Sequence, residues 1–199
     1  MLANRITLSR FPLLALILAL LAFGSARVRL AGVGLLFVGL MLDTVDGLVA
    51  RKRGESSLLG SVLDIAADRA YELALWIFFA GFGLVPTLFP IIVAVRGALT
   101  DALRSIGLAE GSPPLTQHRT ALGRFLVQST WMRTGYAVSK IVAFCGLGLV
   151  LALPGAAISG AVDAVAWIAL GFCVLRGVPV LTHAARAYRR APLALTDGR

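Results

Sequence analysis

A chain of 199 residues that is 58% apolar and 15% charged lies outside the range of soluble domains, in which about a quarter of residues carry charge. Its net charge of +9 would suit either nucleic acid or an anionic lipid surface. The bases flank apolar runs instead of interleaving with aromatics on a polar domain, which argues against a nucleic-acid partner and for an all-α polytopic membrane protein, one domain over residues 1–199.

Taken in chain order, residues 1–10 mix Arg5 and Arg10 with Ile6 and Leu8, which reads as a short interfacial helix rather than a signal peptide. Six transmembrane helices are then expected, at about 10–26, 30–52, 57–83, 86–107, 135–153 and 160–186, each near the roughly 20 residues that cross a hydrocarbon core. Arg27 and Arg29 separate the first two; Arg51, Lys52 and Arg53 separate the second and third. Arg119, Arg124 and Arg133 lie between the fourth and fifth, and Arg186, Arg189 and Arg190 close the sixth. The links near 83–86 and 154–160 carry no base. This bias predicts a multi-pass protein of the inner membrane with both termini on the cytoplasmic side. The loop at 108–134, with Gly111, Pro113 and Pro114, reads equally as a solvated connector or as a segment lying along the membrane at the active site. The tail at 191–199 reads as frayed. Cys145 and Cys173 fall inside apolar runs and read as packing residues, not as a disulfide or a metal pair.

Four of the ten acids, Asp43, Asp46, Asp64 and Asp68, fall within 26 residues. A carboxylate at membrane depth costs about 2.5–3.5 kcal/mol on insertion scales, so four together require counter-charge. Asp43 and Asp46 are three apart on the second span, and Asp64 and Asp68 four apart on the third, so each pair shares a helical face. The hairpin between them is short enough for the two faces to meet. A salt-bridge network with Arg51, Lys52, Arg53 and Arg69 is one way to balance the charge. Two magnesium ions, or manganese, are the other, since hard cations favour carboxylate oxygens and no His or Cys lies nearby to suggest zinc. Two such ions within about 4 Å of each other could clamp a diphosphate. Gly47, Ala50 and Gly60 would let backbones approach closely or leave room for a planar ligand.

The run Asp43-x-x-Asp46-Gly47-x-x-Ala50-Arg51, eight residues, Gly60-x-x-x-Asp64-x-x-x-Asp68 resembles the signature of the CDP-alcohol phosphatidyltransferases. That resemblance implies transfer of a phosphatidyl group from CDP-diacylglycerol to a small alcohol, in a homodimer of six-helix protomers with a polar cavity open to the cytoplasm. It implies that Asp43, Asp46 and Asp64 chiefly ligate metal, and that Asp46, Gly47, Ala50, Arg51 and Gly60 hold the CDP donor. Asp68 would both contact metal and act as the catalytic base.

Arg96, Asp101, Arg104, Lys140 and Arg176 lie on the last three spans, and on this topology nearly all fall in the cytoplasmic half. Cations there would receive an acceptor that carries a phosphate, or would snorkel to lipid headgroups. Arg96 with Ala102-Leu103-Arg104 is similar to the Arg-Glu-x-x-x-Ser-x-Leu-Arg stretch of the phosphatidylglycerophosphate synthases, and Lys140 resembles the lysine of their next span. Gly97 and Asp101 depart from that branch, which has Glu and Ser there, and Arg69 replaces its usual Lys. Glycerol 3-phosphate is the favoured acceptor, and Asp68-Arg69 resembles the inositol-phosphate branch as the alternative. A cation-coupled transporter would also carry membrane acids, but it gives no reason for Gly47, Ala50, Arg51 and Gly60, and the chain has no inverted repeat.

Overall fold

Apolar side chains returning every three or four residues select the face by which each helix packs. The computed structural model describes residues 2–53, 58–109 and 129–190, with side chains over 9–41, 65–102, 129 and 131–179. Its helices are α1 (Leu2–Phe23), α2 (Ala26–Arg53), α3 (Leu58–Gly81), α4 (Leu88–Ala109), α5 (Thr130–Ala152) and α6 (Ser159–Arg190), and no strand occurs among the described residues. One helix thus covers each expected span. Among the described residues, two stretches, Trp131–Ala152 and Ser159–Pro179, are long and apolar enough to cross a membrane, and Ser9–Phe23 is a shorter apolar helix. The apolar runs of α2, α3 and α4 are broken by the charged residues that the sequence assigns to chemistry.

The expected division near residue 10, between an interfacial helix and the first span, is not a break in the backbone. α1 runs unbroken through Pro12. Proline holds a φ compatible with helix, although inside one it removes an amide donor and its ring crowds the carbonyl four residues back.

The chain divides into two compact units, Met1–Pro90 with Val138–Ile168, and Ile91–Ala137 with Ala169–Arg199. In the first, α1 packs on both α2 and α3. Leu14, Ile17 and Leu21 of α1 are buried along with Val33 and Leu36 of α2 and with Ala67, Tyr71, Leu75 and Phe79 of α3. Trp76 anchors the aromatic part of this core, its ring 4.7 Å from Phe144 and 5.3 Å from Phe89. Glycines bring the helices close: a Cβ on Gly148 would lie 2.8 Å from Val33 Cγ2, and one on Gly146 2.8 Å from Val162 Cγ2. Arg29 closes one end of the unit. Its guanidinium donates to the carbonyls of Leu151 at 2.9 Å and Ala22 at 3.2 Å, in the last turns of α5 and α1, where helical carbonyls lack partners of their own.

In the second unit, Val93, Leu170 and Cys173 are buried. A Cβ on Gly177 would lie 2.9 Å from Arg96 Cγ, and one on Gly135 3.3 Å from Phe172 Cζ.

Candidate active site

The backbone sets the register of the acidic residues. Asp43 stands ten residues before the end of α2 and Asp68 ten residues after the start of α3, each about 15 Å along its helix from the end that the 54–57 link joins. Asp46 and Asp64 stand seven and six residues from those ends, about 10 Å along. The chain therefore carries its acids on two consecutive helices at matching distances from the turn. The side chains of Asp43, Asp46 and Asp64 lie outside the described residues, as do those of Ala50, Arg51 and Arg104. Gly47 sits on α2 and Gly60 on α3, also outside the segments with described side chains.

Asp68 is described in full. Its side chain is 56% exposed, and Arg10 of α1 donates to its Oδ1 through Nη2 at 3.4 Å. Arg10 itself is mostly covered, and its guanidinium stands 5.5 Å from the centroid of the Tyr71 ring. The packing of α1 on α3 creates this contact, and Tyr71, three residues after Asp68 and so near its face of α3, supplies the platform. A long charge-assisted bond to a carboxylate that is more than half exposed orients Asp68 without enclosing it. The carboxylate remains reachable by a cation or a hydroxyl group.

One turn further along α3, Glu72 is buried, and its Oε2 accepts a hydrogen bond from Lys140 Nζ of α5 at 3.0 Å. The glutamate side chain is 6% exposed and the lysine 22%. Lys140, expected among the acceptor cations, thus stands in the first unit, beside the acidic face of α3.

The second unit holds two further candidates. Arg176 of α6 lies over the ring of Tyr136, 5.4 Å from its centroid. Arg96 of α4 passes α6 at Gly177, the residue next to Arg176, where the missing Cβ leaves space for its aliphatic stem. Asp101 is half-buried on α4. Near it, Thr100 Oγ1 donates to the Gly97 carbonyl at 2.9 Å, a bond that turns the hydroxyl back onto its own helix.

Sequence reasoning passed over three contributors, Glu72, Tyr71 and the contact of Arg10 with Asp68. Glu72 had a signal, because it extends the four-residue spacing of Asp64 and Asp68 by one more turn on the same face. Arg10 had none, because its role depends on how α1 packs against α3.

The donor set suits a hard divalent cation. Asp68 presents carboxylate oxygens that are open on one side, and its three expected companions are carboxylates as well. Among the described residues no three acidic, His or Cys side chains gather; the side chains of Asp43, Asp46 and Asp64 lie outside them.

A family model described as CDP-alcohol phosphatidyltransferase matches residues 1–175. Proteins named "Putative cardiolipin synthase" from Mycobacterium bovis and from two strains of Mycobacterium tuberculosis are each 39% identical to this chain over 75 residues, which is 38% of this chain and 36% of each relative. The similarity therefore spans about a third of the length of those curated relatives.

Proposed function

The chain belongs to the CDP-alcohol phosphatidyltransferase family, and we propose that it serves phospholipid biosynthesis by moving the phosphatidyl group of CDP-diacylglycerol onto glycerol 3-phosphate, releasing CMP. The observation that carries this reading is Asp68, the last acid of the family signature, which is oriented by Arg10 yet more than half exposed. The similarity to the mycobacterial proteins fits the phosphatidylglycerophosphate synthase-like branch.

Asp43, Asp46, Asp64 and Asp68 would hold two magnesium ions, or manganese, whose charge polarises the donor's phosphorus and stabilises departing CMP. Arg51, a fixed cation with a forked donor set, binds a diphosphate oxygen. Gly47, Ala50 and Gly60, with Asp46 beside them, leave room for the cytidine. Asp68 takes the proton of the acceptor hydroxyl as that oxygen attacks the β-phosphorus in line. A phosphorus–oxygen bond to the acceptor forms, the bond to the CMP oxygen breaks, and CMP leaves with the electron pair. Arg96, Arg104, Lys140 and Arg176 are the groups for an acceptor phosphate. An inositol phosphate uses the same chemistry, and Asp68-Arg69 favours it as the second reading.

The reading extends to six transmembrane spans, an active site on the cytoplasmic side of the inner membrane and a homodimer. What supports the membrane part of this reading is the exposed apolar surface of Phe37, Val38, Ile77, Ile91, Val95 and Trp167, which suits hydrocarbon better than water. Purified protein given CDP-diacylglycerol, magnesium and a panel of acceptors should release CMP fastest with glycerol 3-phosphate. If no acceptor yields CMP, the transferase reading fails; if inositol phosphate is preferred, only the acceptor changes.

A further inference from the structure

Glu72 is a buried carboxylate in an apolar helical core, bonded to a lysine on another helix. Such a pair is a weak source of stability, because removing both charges from water offsets much of their attraction. Buried ionisable groups among apolar helices call for a functional reason. The location suggests one: Glu72 is four residues after Asp68, so the two carboxylates leave α3 on the same face, about 6 Å apart along the axis. That spacing is close to the length of a short alcohol phosphate measured from its hydroxyl to its phosphorus. Lys140 is held at 3.0 Å by Glu72, the carboxylate that follows Asp68 on that face.

We propose that Glu72 is a positioning residue for the acceptor, acting through Lys140, on the reading of the chain as a transferase given above. A lysine has four rotatable side-chain bonds and a compact charge. Glu72 fixes that charge in one place, so the ordering cost is met before the acceptor arrives. The Lys140 side chain keeps 22% of its surface exposed, so it is not sealed off from an incoming anionic group. The carboxylate works at one remove: it is too deeply covered to touch the acceptor itself.

Glu72→Gln keeps the shape and removes the charge. It is expected to raise KM for the phosphorylated acceptor about tenfold while leaving KM for CDP-diacylglycerol unchanged, and adding Glu72→Gln to Lys140→Met should cost nothing further. An acceptor KM that stays within twofold of wild type, or a donor KM that rises equally, would overturn the proposal. Loss of folding in the single variant is addressed by exchanging the pair, Glu72→Lys with Lys140→Glu. This restores an ion pair between α3 and α5 but moves the cation to the wrong helix. Thermal stability should return towards wild type while acceptor KM stays high; a swapped protein with wild-type acceptor KM would show that the pair is structural only. Absence of CMP release from the unaltered protein with every acceptor would instead count against the transferase reading, so the two failures are distinct.

Discussion

Asp68 and Arg10 illustrate how little stability the site itself contributes. With Asp68 more than half exposed and its bond to Arg10 at 3.4 Å, the pair is worth at most about 1 kcal/mol, so Arg10→Ala should lower the unfolding midpoint in detergent only slightly. Trp76→Ala should cost about 3–5 kcal/mol, because its ring is enclosed by Phe89 and Phe144. Asp68→Asn keeps the volume and removes the base. CMP release should fall by about two to four orders of magnitude, with the midpoint of unfolding and metal binding largely retained; substantial turnover in that variant would remove Asp68 from the role of base. The acids stand out in the sequence because a three- and four-residue spacing inside apolar runs is conspicuous whatever the tertiary arrangement. Arg10 could not, since an arginine near the start of an apolar helix looks the same whether it meets a headgroup or a carboxylate on a neighbouring helix. Lys140 was found as a candidate by its place on the fifth span and by resemblance, but its partner on α3 depends on a contact across 68 residues of chain.

At the scale of helices, apolar runs of about 20 residues were sufficient to place the six helices of the described residues, because a helix satisfies its own backbone wherever it lies. Their ends were less accessible. Arg27 and Arg29 count in the sequence as loop charges, yet Arg29 binds the last carbonyls of α1 and α5 and so acts as a cap joining two helices. Two charge-assisted bonds of this kind should make Arg29→Ala cost about 2–3 kcal/mol, seen as a lower unfolding midpoint, with Arg29→Lys recovering part of it. Close packing gives a second test. A methyl group at Gly148 would meet Val33 at 2.8 Å, whereas one at Gly34 on α2 meets nothing within 4 Å. Gly148→Ala should therefore destabilise by about 1–3 kcal/mol, and Gly34→Ala should be neutral or stabilising by about 0.4–1 kcal/mol. Equal effects of the two substitutions would mean that α2 and α5 do not approach as described.

For the whole molecule, composition pointed to lipid before any residue was considered, and α5 and α6 supply helices of membrane-crossing length. The arrangement around the signature is carried by consecutive helices whose acids stand at matching distances from one short link, a relation that residue spacing and helical rise reveal without side-chain contacts. The acceptor was harder to read, since the cations proposed for it come from three helices, and sequence order says little about which of them meet. The account rests on the acids of α2 and α3 forming one metal centre. Manganese titration of the protein in lipid nanodiscs, followed by electron paramagnetic resonance, tests that directly. Wild type should bind two ions per chain with the coupling of a close pair, and both Asp43→Asn on α2 and Asp64→Asn on α3 should abolish the coupled signal. Full retention of that signal when either helix loses its aspartate would contradict a centre shared between them.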